Sequence, residues 1–408
     1  MNSGVKVNLG EITDLQVGYP FKSKDYSESP GAVKLVRGDN VVQGSFRWEN
    51  VKKIEVKDVL PEVMQKYSLA LYDVTLAMDR PWIAAGLKYS SVSEDDLPCL
   101  LVQRVCRLRA KDNLDQRFLK YIIGSAEFTA HIRNVETGTA VPHISQSSIA
   151  EFSFSLPPLE NQKAIAHILG TLDDKIELNQ KMNQTLEEIA KAIFKSWFVD
   201  FDPVRAKAEG RPTGLPPEIS DLFPDELVDS EIGEIPKGWD VTPLDEIGNF
   251  RNGLALQKYP AKDGEEQLPV VKIAQLRKGS TDGDHLFASG VPSDFVIIDG
   301  DYVFSWSGSL MAKYWVGGKG ALNQHLFKVE EKTQPLWFIA GWVEHFMPEF
   351  QSIAESKATT MGHIKREHLK QAVCAIPSQE LIKRSAEVMT PLMQRSVLSQ
   401  QESKVISK

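Results

Sequence analysis

Few residues of this chain stand at spacings that could make or break bonds. The run Asp202-Pro203-Val204-Arg205 shares the acidic-Pro opening of adenine-methyltransferase motifs. It lacks the second proline and the aromatic residue that would hold a flipped base, and it reads as a helix-terminating connector. Pro224-Asp225 opens a nuclease-like pattern that no spaced Glu-x-Lys completes. No GxxxxGK[ST] loop is present to cradle a nucleoside triphosphate. Cys99, Cys106 and Cys374 form no CxxC pair, and the histidines are too scattered for zinc. An odd cysteine count without metal-like spacing fits buried structural thiols in a reducing cytosol. The expectation is a protein without a catalytic centre or a metal of its own, whose function rests on what it binds.

Three groups of residues could serve binding, and each has a structural alternative. His143 and His363 lie in similar loops, as phosphate contacts or as turn histidines that fix the loop before a strand. Asn179 and Asn183 interrupt an apolar seam, and either set its register or face a partner. Phe194, Trp197, Phe198 and Phe201 form either a docking patch or packing on an adjoining domain.

The element that positions the last two groups is a helix expected over residues 159 to about 199. Alternating steps of four and three from Ile165 pass through Leu169, Leu172, Ile176, Asn179, Asn183, Leu186, Ala190, Ile193 and Trp197. A second line of Ile168, Met182, Ile189 and Phe194 widens the stripe beyond the needs of a free surface helix, so another helix must cover it. Pro157-Pro158 opens the element.

Before it, short apolar runs separated by turn clusters (33–37, 69–78 and 100–109) read as strands, followed by a helix over 114–123. After it, residues 201–237 carry six prolines and several acids, which marks a semi-rigid connector rather than a domain. The formal net charge of −8 is concentrated there, because residues 200–237 hold ten acidic and four basic residues. The rest is near neutral, which permits a basic face on each domain. The amino terminus has no basic segment leading into an apolar core, and no apolar run approaches about 18 residues, which argues against secretion and membrane spanning and for the cytoplasm.

The second half repeats the first. At a step of 220 residues, Thr139, His143, Ile144, Ile149, Leu156, Pro157 and Glu160 fall opposite Thr359, His363, Ile364, Leu369, Ile376, Pro377 and Glu380. Upstream, LGEI at 9 matches LDEI at 244, VKLVR at 33 matches VKIAQ at 271, and DVTLAM at 73 matches DYVFSW at 301. The repeat supplies the missing helix from Glu380 onward, with Ile382, Met389 and Leu392 on its seam. Pro391 is expected to kink or interrupt it, and its later seam turns to Ser396, Ser399 and Ser403. The fold class is α+β, with two similar α/β domains separated by two long antiparallel helices in a pseudo-twofold internal repeat.

The run LENQKAIAHILGTLDDKIELNQKMNQTLEEIAKAIFKSWFVDFDPVRAKAEG, followed by LPPEISDLFPDELVDSEIGEIPKGW, resembles the central conserved region of Type I restriction-modification specificity subunits. The resemblance implies target-recognition domain 1 over 1–157, a central conserved helix over 158–200, the connector over 201–237, target-recognition domain 2 over 238–378 and a distal conserved helix over 379–408. Each recognition domain would read one half of a split site in double-stranded DNA. Two methylation subunits would dock around the helices, and restriction or motor subunits would join for cleavage. S-adenosylmethionine, ATP and Mg would belong to those partners, with no cofactor in this chain. Rival readings are a subunit of another methyltransferase-based defence assembly, or a scaffold that binds protein instead of DNA.

On this resemblance, DNA contacts fall to loops, where Arg and Lys fork to guanine or hold phosphates and Asn and Gln pair with adenine. In domain 1 the candidates are Tyr19, Lys22, Lys24, Arg47, Trp48, Lys52, Lys53 and the loop carrying Thr139 and His143. In domain 2 they are Arg251, Asn252, Lys258, Tyr259, Gln275, Arg277, Lys278, Trp306, Ser307, Lys313 and Tyr314, with Thr360, His363 and Lys365 on the equivalent loop. Partner docking is expected at Asn179, Asn183, Phe194, Trp197, Phe198 and Phe201. A forty-residue helix spans about 60 Å, so at about 3.4 Å per base pair it caps the unread spacer at roughly 17 base pairs.

Overall fold

The computed structural model describes residues 4–83, 85–136, 142–283, 286–356 and 362–407. They divide into two compact units, Met1–Asp174 and Lys175–Lys408. In the first unit, β1 (Thr13–Val17), β2 (Val74–Ala77), β3 (Tyr89–Ser91) and β4 (Val105–Ala110) form an antiparallel sheet in the order β1-β4-β2-β3. Every residue of β2 is buried, so the strand runs apolar instead of alternating, as strands covered on both faces do. One face packs on α1 (Gln116–Ile123) and α2 (Ala126–Val135) through Leu108, Leu119, Ile123, Phe128 and Ile132. The other meets a second sheet through Val36, Ala77, Leu101 and Val105. That sheet contains a parallel pair, Val33–Val36 beside Cys99–Leu101.

The second unit repeats this plan. Its antiparallel sheet comprises β5 (Gly248–Asn252), β6 (Tyr302–Ser305), β7 (Met311–Tyr314) and β8 (Leu326–Glu331), ordered β5-β8-β6-β7. One helix, α4 (Leu336–Ser356), stands where the first unit has two. A parallel pair recurs in the companion sheet, between Gln267–Val271 and Gly320–Leu322. Each unit also has a two-stranded ribbon, Val5–Asn8 with Ser153–Leu156 and Asp240–Pro243 with Val373–Ile376. The carboxyl-terminal ribbon strands are offset by the predicted 220 residues.

The long helix is α3 (Leu159–Phe198), within a residue of its sequence-based bounds. Within the first unit its start is fixed by Gln162, which is 1% exposed. That side chain donates to the carbonyls of Asn113 and Pro157 and accepts from the Asp115 N–H. Within the second unit the helix lies antiparallel to α5 (Gln379–Ile406), with Lys175 3.2 Å from Glu402. Asn179, fully buried, donates to Glu402 at 3.0 Å and to Ser403 at 3.2 Å, while the Ser399 hydroxyl donates to the Asn179 carbonyl. Asn179 and the serines of α5 therefore face each other, and together they form a polar register mark in the helix pair.

Several expectations change. The helix expected from Leu114 begins at Gln116, and α2 was not foreseen. The 100–109 run divides into Cys99–Leu101 and β4 around a turn, and only Val74–Ala77 of the 69–78 run is strand. The partner of the strand at 33 is Gln267–Val271, because VKIAQ turns into the helix Ile273–Lys278. The proline-rich stretch is folded rather than a connector: Val204, Phe223 and Ile235 enter the second unit's core, and Leu227–Ser230 pairs with Gly233–Pro236. Nor does Pro391 interrupt α5. It and Glu387, whose carbonyl loses its helical donor to the proline, lie on the exposed face, so the freed group is not buried without a partner. Ile165, Ile168 and Leu172 of α3, within the first unit, are exposed.

Candidate nucleic-acid interface

In both units the loops at one end of the central sheet are held by the same backbone frame. After β1, the Gly18 N–H donates to Val105 O, Tyr19 N–H to Leu101 O, and Gln103 N–H back to Tyr19 O. After β5, Gly253 N–H donates to Leu326 O, Leu254 N–H to Leu322 O, and Gln324 N–H back to Leu254 O. Neither glycine has room for a side chain: a Cβ would lie 2.2 Å from the Val102 carbonyl oxygen at Gly18, and 2.3 Å from that of Asn323 at Gly253.

The end of β2 and the loop at 142–144 complete the frame. Arg80 N–H donates to Pro142 O and Ile144 N–H to Met78 O, just as Gly308 N–H donates to Gly362 O and Ile364 N–H to Trp306 O. Asp79 bridges His143 where Ser307 bridges His363. Arg80 (φ +47°) and Gly308 (φ +65°) share a left-handed backbone, which costs a residue with a Cβ roughly 1–2 kcal/mol. Strain of this kind gathers where a fold positions a binding group.

On this shared frame the side chains differ. In the first unit Asp79 accepts from Arg104 Nη1 at 2.5 Å and bonds His143 Nδ1 at 2.5 Å. Burial pushes the Asp79 carboxyl up, but the hydrogen bonds and charges of His143 and Arg104 outweigh it and hold the group below its ordinary 3.8. Arg104 is itself left-handed (φ +67°) and its side chain is 69% exposed. In the second unit the equivalent pair is Ser307, 2% exposed, and His325, with Ser307 Oγ 3.0 Å from Nδ1. Trp306 lies beside His325 and His363, and its indole N–H donates to Asn252 Oδ1 at 2.9 Å.

Of the sequence-based candidates, the frame collects Tyr19, His143, Asn252, Trp306, Ser307 and His363. Tyr19 contributes its backbone, because its ring packs on Phe21 and Tyr67. Ser307 is buried and hydrogen-bonds His325. Thr139 and Thr360 lie outside the described residues. Lys22, Lys24, Arg47, Lys52 and Lys53 belong to the companion sheet and its loops, with Lys52 3.6 Å from Glu28. Trp48 is structural there, its indole N–H bonded to Asp96 and Lys34 lying 4.6 Å above its ring.

In the second unit Arg251 is engaged by Asp294 and Glu330, each at 3.1 Å. Lys258 is exposed and Tyr259 half-buried on a turn of the companion sheet. Gln275 caps the helix that carries the exposed Arg277 and Lys278. Lys365 precedes a short helix, 3.6 Å from Glu367. Lys313 and Tyr314 turn away from the loops toward α3 and α5: the Tyr314 hydroxyl donates to Met393 Sδ, and Lys313 lines a cleft with Glu187.

The docking assignments need correction as well. Phe194, Trp197, Phe198 and Phe201 are at most 7% exposed and pack with Phe223, Trp239, Trp337, Phe338 and Trp342. They belong to the second unit's core, not to an exposed patch. Asn179 and Asn183 are likewise buried.

The residues that sequence reasoning missed are Asp79, Arg80, Gln103, Arg104, Gln324 and His325. Gly18 and Gly253, each following a strand, were the available signal. The three cysteines are buried and free, and burial pushes the Cys99 and Cys106 thiols up to about 12. Among the described residues no helix is long and apolar enough to cross a membrane, and no three His, Cys, Asp or Glu residues are grouped to hold a metal.

Comparison with known proteins places this arrangement. Residues 2–188 and 236–408 match the model of the Type I restriction modification DNA specificity domain. The chain is 34% identical over 205 residues to the HindI specificity subunit of Haemophilus influenzae, covering 39% of this chain and 44% of that protein. It is also 34% identical over 192 residues to the MjaVIII specificity subunit of Methanocaldococcus jannaschii, covering 46% and 43% respectively. These matches span less than half the length of either relative. The fold is similar to the crystal structure of a Type I restriction-modification S subunit from M. genitalium, with a TM-score of 0.59 at 13% identity over 100% of this chain and 94% of that one. With both repeats matched by one family model, the chain belongs to the Type I restriction-modification DNA specificity family.

Proposed function

We propose that this chain is the sequence-specificity component of a Type I restriction-modification complex and supplies no chemistry of its own. Each repeat reads one half of a split site in double-stranded DNA, through the loops at the end of its central sheet. Methylation subunits dock on the helical elements and carry S-adenosylmethionine. Motor subunits carry ATP and Mg. The observation that bears most weight is the duplicated loop frame: identical backbone hydrogen bonding in both repeats, fitted with Asp79 and Arg104 in one and Ser307 and His325 in the other. A scaffold repeated with altered side chains is what two different half-sites require, since backbone contacts position a duplex and side chains at base edges select it.

The exposed line Ile165, Ile168 and Leu172 on α3 supports docking there, rather than at the buried aromatic residues. A forty-residue helix also suits a spacer. The test is selection from a random duplex library by the full chain together with its methylation subunit, at several salt concentrations. The expected product is a bipartite consensus whose unread gap changes when one heptad is deleted from α3. Binding without sequence preference contradicts the proposal.

A further inference from the structure

The two loop frames match residue for residue, so differences between them can be assigned. Among the described residues, the shared backbone bonds align several positions of the two frames. Gln103 in the first unit is matched by Gln324 in the second, and His143 by His363, so these cannot make the two repeats select different sequences. Arg80 is matched by Gly308, and Asn252 with Trp306 by Val17 with Met78, so at these positions only one repeat carries a polar or hydrogen-bonding side chain. Apart from Asp79 and Ser307, the aligned position that carries a hydrogen-bonding side chain in both repeats yet differs between them is the residue directly before β4 and β8: Arg104 in one repeat, His325 in the other.

Each of these two side chains is held by the residue two past the end of the neighbouring strand. Asp79 binds Arg104 at 2.5 Å, and Ser307 binds His325 at 3.0 Å. The holder matters as much as the reader. A carboxylate beside Arg104 offsets its attraction for phosphate at a distance, yet fixes the direction of the guanidinium and leaves most of its five N–H donors free. An oriented, charge-compensated fork suits a base edge better than a backbone phosphate.

We infer that Arg104 is the residue with which the first repeat selects a base pair, a guanine read by its guanidinium fork, and that His325 occupies the corresponding reading position in the second. This rests on the proposal that each repeat contacts one half-site. Asp79 and Ser307 are positioning residues that act through their neighbours.

The experiment uses the full chain with its cognate methylation subunit and compares wild type, Arg104→Lys, Arg104→Ala and His325→Ala by selection from a random duplex library. Arg104→Lys keeps the charge and removes the fork, so overall DNA affinity stays within a few-fold while discrimination at one G·C pair of the first half-site falls about tenfold or more. Arg104→Ala gives the same local relaxation. The second half-site keeps its wild-type consensus in both, which also reports that the chain is folded. His325→Ala produces the mirror result. Unchanged discrimination throughout the first half-site in both Arg104 variants overturns the inference, as does simultaneous loss of both half-sites in both. If wild type itself selects no split motif, the functional proposal fails instead.

Discussion

Gly18→Ala and Gly253→Ala test the shared loop frame, each in its own repeat. At Gly18 the added methyl would lie 2.2 Å from a carbonyl oxygen of the turn before β4. The obstacle is backbone, so no side chain can swing aside, and the two loops must separate by roughly 1 Å. Three backbone hydrogen bonds cross that contact, from Gly18, Tyr19 and Gln103. At about 0.5–1.5 kcal/mol net for each bond, losing them costs the first unit about 1.5–4.5 kcal/mol. The same reasoning holds for Gly253, whose methyl would lie 2.3 Å from the Asn323 carbonyl oxygen. Gly31→Ala is the control, since its Cβ would meet nothing within 4 Å. That variant should match wild type or gain up to about 1 kcal/mol through a less flexible unfolded chain. Urea unfolding measures the stability change, and library selection with the methylation subunit measures the function. Gly18→Ala should blur only the first half-site, and Gly253→Ala only the second. Wild-type stability together with an intact consensus in either variant refutes the close approach on which the frame depends.

Other perturbations probe the rest of the molecule. Phe198→Ala, at a fully buried ring packed among Phe194, Trp239, Trp337 and Phe338, should cost about 3–5 kcal/mol in denaturant unfolding. A loss below about 1 kcal/mol would mean the ring faces a surface, as a docking patch requires. Gln162→Ala leaves the Asp115 N–H and two carbonyls without their partner, so amide exchange at Asp115 should accelerate, with about 1–3 kcal/mol lost. Unchanged exchange there would refute this role. Asp79 carries a lowered carboxyl pKa, so its contribution is complete above about 3.8 and disappears as pH falls through the lower folded value. Asp79→Asn should therefore be less stable than wild type at pH 7, with the gap narrowing in acid; a gap independent of pH contradicts the pairing with Arg104 and His143.

The sequence was most legible where a pattern is long or repeated. Forty residues of four-three spacing define α3 to within a residue, and the 220-residue step aligns His143 with His363 and the two ribbon strands. Short elements were harder. The second half's VKIAQ matches VKLVR in composition, but a strand of five residues ends at Val271 and its continuation coils into a helix. The helix Leu336–Ser356 went unnoticed because it is apolar around most of its circumference, which erases the periodicity that marks an amphipathic helix.

The candidate site was legible only in part, for a related reason. Aromatic residues at the end of α3 looked numerous enough for a partner surface, but the sequence did not show that the proline-rich stretch folds back to bury them. Arg104 and His325 carry no local signal, because their importance comes from the turn before a strand and from Asp79 and Ser307, distant in the chain. Side-chain type located basic residues generally; only tertiary structure separates those at the loop frame from those on the companion sheet.

The most direct test of the account is the map of methylated adenines in cells that carry this chain with its methylation partner, compared with cells that carry the partner alone. The account predicts methylation confined to one bipartite motif, with two defined halves separated by an unread gap, and none without the chain. Methylation that is independent of the chain, or that follows a single uninterrupted motif, would contradict the assignment of one half-site to each repeat.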